Sequence, residues 1–292
     1  VNVEAVTARL VRSFGPGVAD WCAQVPTLAA QAAARWGLTL GEPFPSGASS
    51  VVVRCEWPDG TAAVLKLSPE LQFLASQVAM MRLLAPSGRV PAVLDADLDA
   101  GIVVMEAIRP GTMADELPCP PSARQWADLV AALHAIEIPA GPQRDLREIC
   151  DEFFTRMARR LTNPAIAAQI SDDIWNRAVR RCDELLRTQT TRVLLHGDLH
   201  PGNVLDGGVR GLVAIDPMVC VGDPCFDAVD FALAGAGLEG VSTRCAHVAK
   251  ECGMDLERLE AWCRALAPLE AIGYLAGSST VPAVTELLAL AR

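Results

Sequence analysis

The stretch His196-Gly197-Asp198-Leu199-His200-Pro201-Gly202-Asn203 puts a carboxylate and an amide on one loop rich in glycine and proline. Asp216 follows thirteen positions after Asn203, in Ile215-Asp216-Pro217. Phosphoryl transfer needs this set: a carboxylate to accept a hydroxyl proton, and two oxygen donors for a Mg²⁺ that bridges the phosphates. It also needs a cation on the phosphates. Only two lysines, Lys66 and Lys250, stand among the 25 basic residues. Lys66 lies in the apolar run Ala63-Val64-Leu65-Lys66-Leu67, where a lone ammonium calls for an anionic partner. The pair His196-x-x-x-His200 also has zinc-ligand spacing. Its segment is a loop rather than a helix, however, and lacks the glutamate of His-Glu-x-x-His. Cys220 and Cys225 read as packed thiols rather than ligands.

These groups need elements to hold them. Residues 1–37 read as a mainly helical segment broken at Gly15-Pro16-Gly17. From 38 to 108 the pattern becomes a small antiparallel β lobe. Leu38–Leu40, Val51–Trp57, Thr61–Leu67, Val93–Leu94 and Ile102–Met105 are its strands, and Pro58-Asp59-Gly60 is a hairpin turn. Ser68-Pro69-Glu70 predicts a helix start, with Ser68 as N-cap and the helix running to about Leu84. Residues 109–111 form a linker, and 112–292 a larger, mainly helical lobe. Two short strands, 193–195 and 212–215, interrupt it beside the chemical residues. The fold class is α+β. His-x-Asp-Leu-x-x-x-Asn is the spacing of a protein-kinase catalytic loop, Asp216 stands where the later metal-binding acid would, and Lys66 falls on the third strand.

Composition narrows the options. The chain has 292 residues, 51% hydrophobic and 21% charged, which suits a folded protein of one large or two modest domains. No apolar run reaches the roughly 18–20 residues of a membrane span, and no secretory signal is visible. Ten cysteines without a Cys-x-x-Cys pair point to reduced core thiols in a cytoplasm. The net charge of −10 argues against nucleic-acid binding.

The chain resembles the aminoglycoside phosphotransferase family, which has a protein-kinase-like two-lobe fold, and within it the streptomycin 6-phosphotransferase and hydroxyurea kinase branch. The likeness rests on Trp57-Pro58-Asp59-Gly60-Thr61 leading to Lys66, on Leu195–His200, and on Ala214-Ile215-Asp216-Pro217 continuing through Val221-Gly222-Asp223-Pro224 to Phe226-Asp227. It implies a Mg²⁺- and ATP-dependent kinase, with GTP an alternative donor. Asp198 would be the catalytic base, and Asn203 and Asp216 the Mg²⁺ ligands. Lys66 would be the phosphate lysine, Ser46, Gly47, Ser49 and Ser50 the phosphate loop, and Glu106 and Ile108 the backbone contacts to the base. Asp227 would brace the catalytic loop, with His196 a second structural residue.

Two departures stand out. Kinases pair the strand lysine with a helix glutamate; here Glu70 lies in the first turn of its helix, while Gln77, nearer the expected place, is neutral, and the sequence leaves open which of the two orients Lys66. Gly197 replaces the arginine of His-Arg-Asp, and Gly222 follows Asp216 by six positions, which implies no activation loop and no phosphorylation switch.

The acceptor is read from charge and position. Residues 1–110 carry 10 acids and 8 bases, and residues 111–292 carry 25 acids and 17 bases. The excess acidity of the larger lobe suits a small cationic, hydroxyl-rich partner. His200 and the residues Trp262, Glu270 and Tyr274, near one predicted helix face, are its candidate contacts. The reading that results is a cytoplasmic, monomeric enzyme that phosphorylates streptomycin. Hydroxyurea, an amino alcohol or a sugar is the alternative acceptor, and an inactive nucleotide-binding module is the alternative class.

Overall fold

The computed structural model describes residues 4–44, 50–277 and 281–292. The chain divides into two compact units, 1–111 and 112–292.

The first unit opens with α1 (Glu4–Phe14) and α2 (Ala19–Trp36), which ends on left-handed Gly37. A five-stranded antiparallel sheet follows: β1 (Thr39–Pro43), β2 (Val51–Glu56), β3 (Ala62–Leu67), β4 (Val93–Asp97) and β5 (Ile102–Glu106), in the order β1-β2-β3-β5-β4. Helix α3 (Leu71–Leu84) lies between β3 and β4 in sequence. It begins at Leu71 rather than directly after Ser68, because the Ser68 hydroxyl accepts from Glu70 N–H (3.2 Å) and closes a turn before the helix. The N-terminal helical segment is not a separate body. Val25, Ala29 and Ala32 of α2 share one core with Val51, Val53, Leu65, Leu67 and Val104 of the sheet.

Strand alternation decides where Lys66 goes. Leu65 and Leu67 enter the α2-side core, so Lys66 between them faces the other way. Its cross-strand partner Val103 packs with Leu74 and Val78 of α3. Lys66 is therefore directed at α3, on whose buried stripe Gln77 sits between those two residues.

The second unit contains α4 (Ala123–His134), α5 (Leu146–Arg160), α6 (Pro164–Ala167) and α7 (Asp172–Arg187). Strands β6 (Val193–Leu195), β7 (Val204–Asp206), β8 (Leu212–Ala214) and β9 (Cys220–Gly222) follow, then α8 (Phe226–Leu233), α9 (Val241–Cys252), α10 (Leu256–Ala276) and α11 (Val281–Ala291). The strands form two ribbons, β6 with β9 and β7 with β8, both antiparallel. β7 and β9 are additional to the two strands read from sequence. At three residues each they carry no periodicity of their own, and their pairing defines them. Among the described residues no helix is long and apolar enough to cross a membrane.

Candidate active site

The two ribbons present Asp198, Asn203 and Asp216 from neighbouring loops. Asn203 carbonyl accepts from Ile215 N–H (2.8 Å), and His196 carbonyl accepts from Met218 N–H (2.8 Å), so the 196–203 loop and the turn after β8 are joined at both ends. Asn203 Nδ2 donates to Asp198 Oδ2 (3.1 Å) and to its backbone carbonyl (2.9 Å). This orients the amide so that its Oδ1 remains as a hard oxygen donor, and leaves Asp198 Oδ1 for a hydroxyl. Asp216 has φ 52°, the one non-glycine residue with positive φ among the described residues. Such a conformation is uncommon and collects at functional positions. An amide oxygen and a carboxylate on backbone-joined loops fit Mg²⁺, which takes one or two protein oxygens and completes its shell with phosphate and water.

The loop is held from beneath by a fully buried acid. Asp227 Oδ2 accepts from His196 N–H (2.8 Å) and Oδ1 from Gly197 N–H (3.0 Å), while His134 Nε2 lies 3.0 Å from Oδ2. Burial alone would raise this carboxyl. The His134 contact and the Gly197 N–H outweigh it and hold Asp227 below the ordinary range. His196, also fully buried, donates from Nε2 to Ile215 carbonyl (3.1 Å) and accepts at Nδ1 from Asp198 N–H (3.3 Å). Burial pushes its pKa down, favouring the neutral ring that this pattern requires. His200 Nδ1 accepts from Gly202 N–H (3.1 Å) and caps the following turn. Both imidazoles are thus engaged by the loop itself. A Cβ on Gly197 (φ 81°) would come within 2.3 Å of Met218 carbonyl, so the backbone approach itself excludes an arginine there.

A cavity of about 640 Å³ opens beside Asp198, lined by α5, α8, α10 and the loops 114–121 and 198–202. His200, Glu270 and Tyr274 line it. Trp262 does not. Its indole is fully buried, donates from Nε1 to Asp223 Oδ2 (2.8 Å), and packs edge-on behind Phe226, the residue that does face the cavity. Asp230 also lines the cavity and was not among the sequence candidates. The available signal was composition: Phe226-Asp-Ala-Val-Asp-Phe-Ala-Leu233 has two acids in an otherwise apolar helix. Among the described residues neither Asp230 nor Glu270 has a side-chain hydrogen bond. Burial, then Glu270, Asp198 and Asp227, raise Asp230 well above the usual carboxylate range. Burial raises Glu270 as well. Arg156 and Arg160 of α5 and Arg244 of α9 add positive charge to the lining, although Arg244 is paired with Glu239.

In the first unit Lys66 Nζ donates to Gln77 Oε1 (3.0 Å), both side chains being buried. Gln77, not Glu70, is thus the helix residue that orients the lysine. Glu106 N–H donates to Ala92 carbonyl (2.9 Å), and its carboxylate accepts from Ala92 N–H (3.1 Å). Ile108 lies half-buried just beyond β5. Ser50 is buried before β2, while Ser46, Gly47 and Ser49 lie outside the described residues.

Residues 41–266 match the phosphotransferase enzyme family, APH. The chain belongs to that family. This phosphotransferase is 32% identical to a streptomycin 6-kinase of Streptomyces glaucescens over 228 residues, 77% of this chain and 72% of the relative. It is 28% identical to a hydroxyurea phosphotransferase of Kitasatospora aureofaciens over 274 residues, 90% and 76% of the two chains. Among solved structures, it superposes on an aminoglycoside phosphotransferase in ternary complex with ADP and hygromycin B. The TM-score is 0.58 at 15% identity, covering 90% of this chain and 95% of that one. The fold is that of the protein-kinase-like phosphotransferases.

Proposed function

We propose that this phosphotransferase moves the γ-phosphoryl group of ATP to a hydroxyl of a small cationic acceptor, with the 6-hydroxyl of streptomycin the leading candidate. One observation carries the reading: the catalytic-loop carboxylate Asp198 opens into a cavity also lined by Asp115, Asp230 and Glu270, of which Asp230 and Glu270 lack hydrogen-bond partners of their own among the described residues. A guanidinium or ammonium would supply the missing donors. Asp198, aligned by the Asn203 amide, orients the acceptor hydroxyl and takes its proton as the new O–P bond forms and ADP departs. Lys66, steadied by Gln77, holds the α- and β-phosphates, with Ser46, Gly47, Ser49 and Ser50 as the phosphate loop. Backbone groups of Glu106 and Ile108 meet the base. Asn203 and Asp216 would hold Mg²⁺, which neutralises charge developing on the phosphates when bound. His200 and Tyr274 complete the acceptor wall. A reaction fed by ATP fits a cytoplasmic location.

A hydroxyurea acceptor is the second reading, favoured by the longer match to the hydroxyurea phosphotransferase. The size of the cavity and its acids weigh toward the larger, cationic acceptor.

The test is an acceptor panel of streptomycin, hydroxyurea and simple amino alcohols with MgATP, read by product mass and NMR. The expected product is streptomycin monophosphorylated at the 6-hydroxyl. Product from hydroxyurea alone would remove the antibiotic assignment and keep the kinase. Intact ATP with every acceptor would overturn both. Asp198→Asn should lower turnover by about 10²–10⁴-fold, the usual worth of a general base.

A further inference from the structure

The Gly222-Asp223-Pro224 motif has no part in the chemistry above, yet Asp223 is buried and fully engaged. Its Oδ1 accepts from Cys225 N–H (3.0 Å) at the entry to α8. Its Oδ2 accepts from Trp262 Nε1 (2.8 Å) and pairs with Arg258, both on α10. Arg258 in turn donates to Leu185 carbonyl (2.9 Å) at the end of α7. One carboxylate therefore joins the start of α8 to the first half of α10.

Both helices line the acceptor cavity. α8 contributes Phe226 and Asp230, and α10 contributes Glu270 and Tyr274. Trp262 precedes Glu270 by eight residues, about 12 Å along the helix. Its ring also meets Phe226 edge-on, at 5.4 Å between centroids. Packed interiors transmit a displacement at such a joint rather than absorb it.

Resting on the acceptor-site reading, we infer that Asp223 is a positioning residue for the acceptor: through Trp262 and Arg258 it sets where Glu270 stands relative to Asp230 and Asp198. The linkage assigns a role to the Gly-Asp-Pro motif, which lies outside the reacting groups.

The experiment compares wild type, Asp223→Asn, Trp262→Phe and the double variant, measuring acceptor KM, kcat and melting temperature. The acceptor KM should rise about tenfold in Asp223→Asn and about threefold in Trp262→Phe, with kcat at saturating acceptor changed less than either. Because Asp223 acts through Trp262 and Arg258 together, its loss already removes the Trp262 contribution, so the double variant should match Asp223→Asn rather than multiply the two effects. A lowered melting temperature with unchanged KM, or strictly multiplicative effects, would overturn the inference. If Asp223→Asn fails to fold, Trp262→Phe alone decides it by the same KM criterion. If wild type phosphorylates no acceptor, the proposed function fails separately. The positioning is then read from hydrogen exchange of peptides spanning 262–275. Faster exchange in Trp262→Phe, with the 193–216 segment unaltered, supports it, and equal exchange overturns it.

Discussion

Asp227 and Asp230 lie one helical turn apart on α8 and have opposite surroundings. Asp227 faces the catalytic loop, where two backbone N–H groups and His134 contact its carboxylate. Asp230 faces the cavity, with no hydrogen-bond partner among the described residues and with Glu270 and Asp198 nearby. Burial acts on both in the same direction, and the partners decide the outcome: the first carboxyl is held below its usual range and the second well above it. A satisfied buried acid fixes a loop. An unsatisfied one beside a cavity makes a site that costs stability until a ligand completes it.

The largest effect should come from breaking the satisfied side. Asp227→Ala leaves the N–H groups of His196 and Gly197 without their acceptor and removes the partner of His134. A loss of about 2–6 kcal/mol is expected, at roughly 1–3 kcal/mol for each of the two backbone N–H groups left without an acceptor. A catalytic loop shifted by even about 1 Å should cost ~10² in kcat. Urea melts and single-turnover rates measure the two effects. Wild-type stability and turnover would mean that the loop is held by its ribbons alone.

The cavity should respond in the opposite sense. Asp230→Asn removes an uncompensated carboxyl, so the free protein should gain stability, by about 2–4 °C for each kcal/mol in a chain of this size. The same change should raise the KM of a cationic acceptor, since a charge-assisted hydrogen bond is worth roughly 1.5–3 kcal/mol. Thermal melts and acceptor titrations decide it. Loss of stability together with an unchanged KM would give Asp230 a bracing role like that of Asp227.

The finest test is pH. Asp227, lowered on folding, contributes stability above its unfolded value near 3.8, and that contribution fades as pH falls through the folded value. Asp230, raised on folding, contributes fully below 3.8 and loses its contribution as pH rises through the folded value. Subtracting the urea midpoints of Asp227→Asn and of Asp230→Asn from those of wild type, between pH 3 and 8, should therefore give slopes of opposite sign. Neither should exceed about 1.4 kcal/mol per pH unit, the limit for one proton.

Residues whose partners lie nearby in the chain are legible from the amino-acid sequence alone. Asp198 and Asn203 share one short loop, and Asp216 follows the next strand. Lys66 stands out as a lone ammonium in an apolar strand. The β lobe is readable from its hairpin turn and β-branched runs, and most helices of the second unit from their 3.6-residue period and caps. Asp145 and Ser122, for example, both close capping boxes at their helix starts.

Packing across the chain decided the rest. Whether Glu70 or Gln77 met Lys66 depended on the face that β3 turned toward α3 and on the point where that helix began. Trp262 and Glu270 fall near one face of α10 by spacing alone, yet one is sealed behind Phe226 and the other opens to the cavity. Asp227 and Asp230 are the same residue type on the same helix. Local sequence sets the helix and its period, but which side of it meets donors, apolar rings or a cavity is set by the elements packed around it. For α8 those elements include α4, α9 and α10, drawn from positions 123 to 276 of the chain.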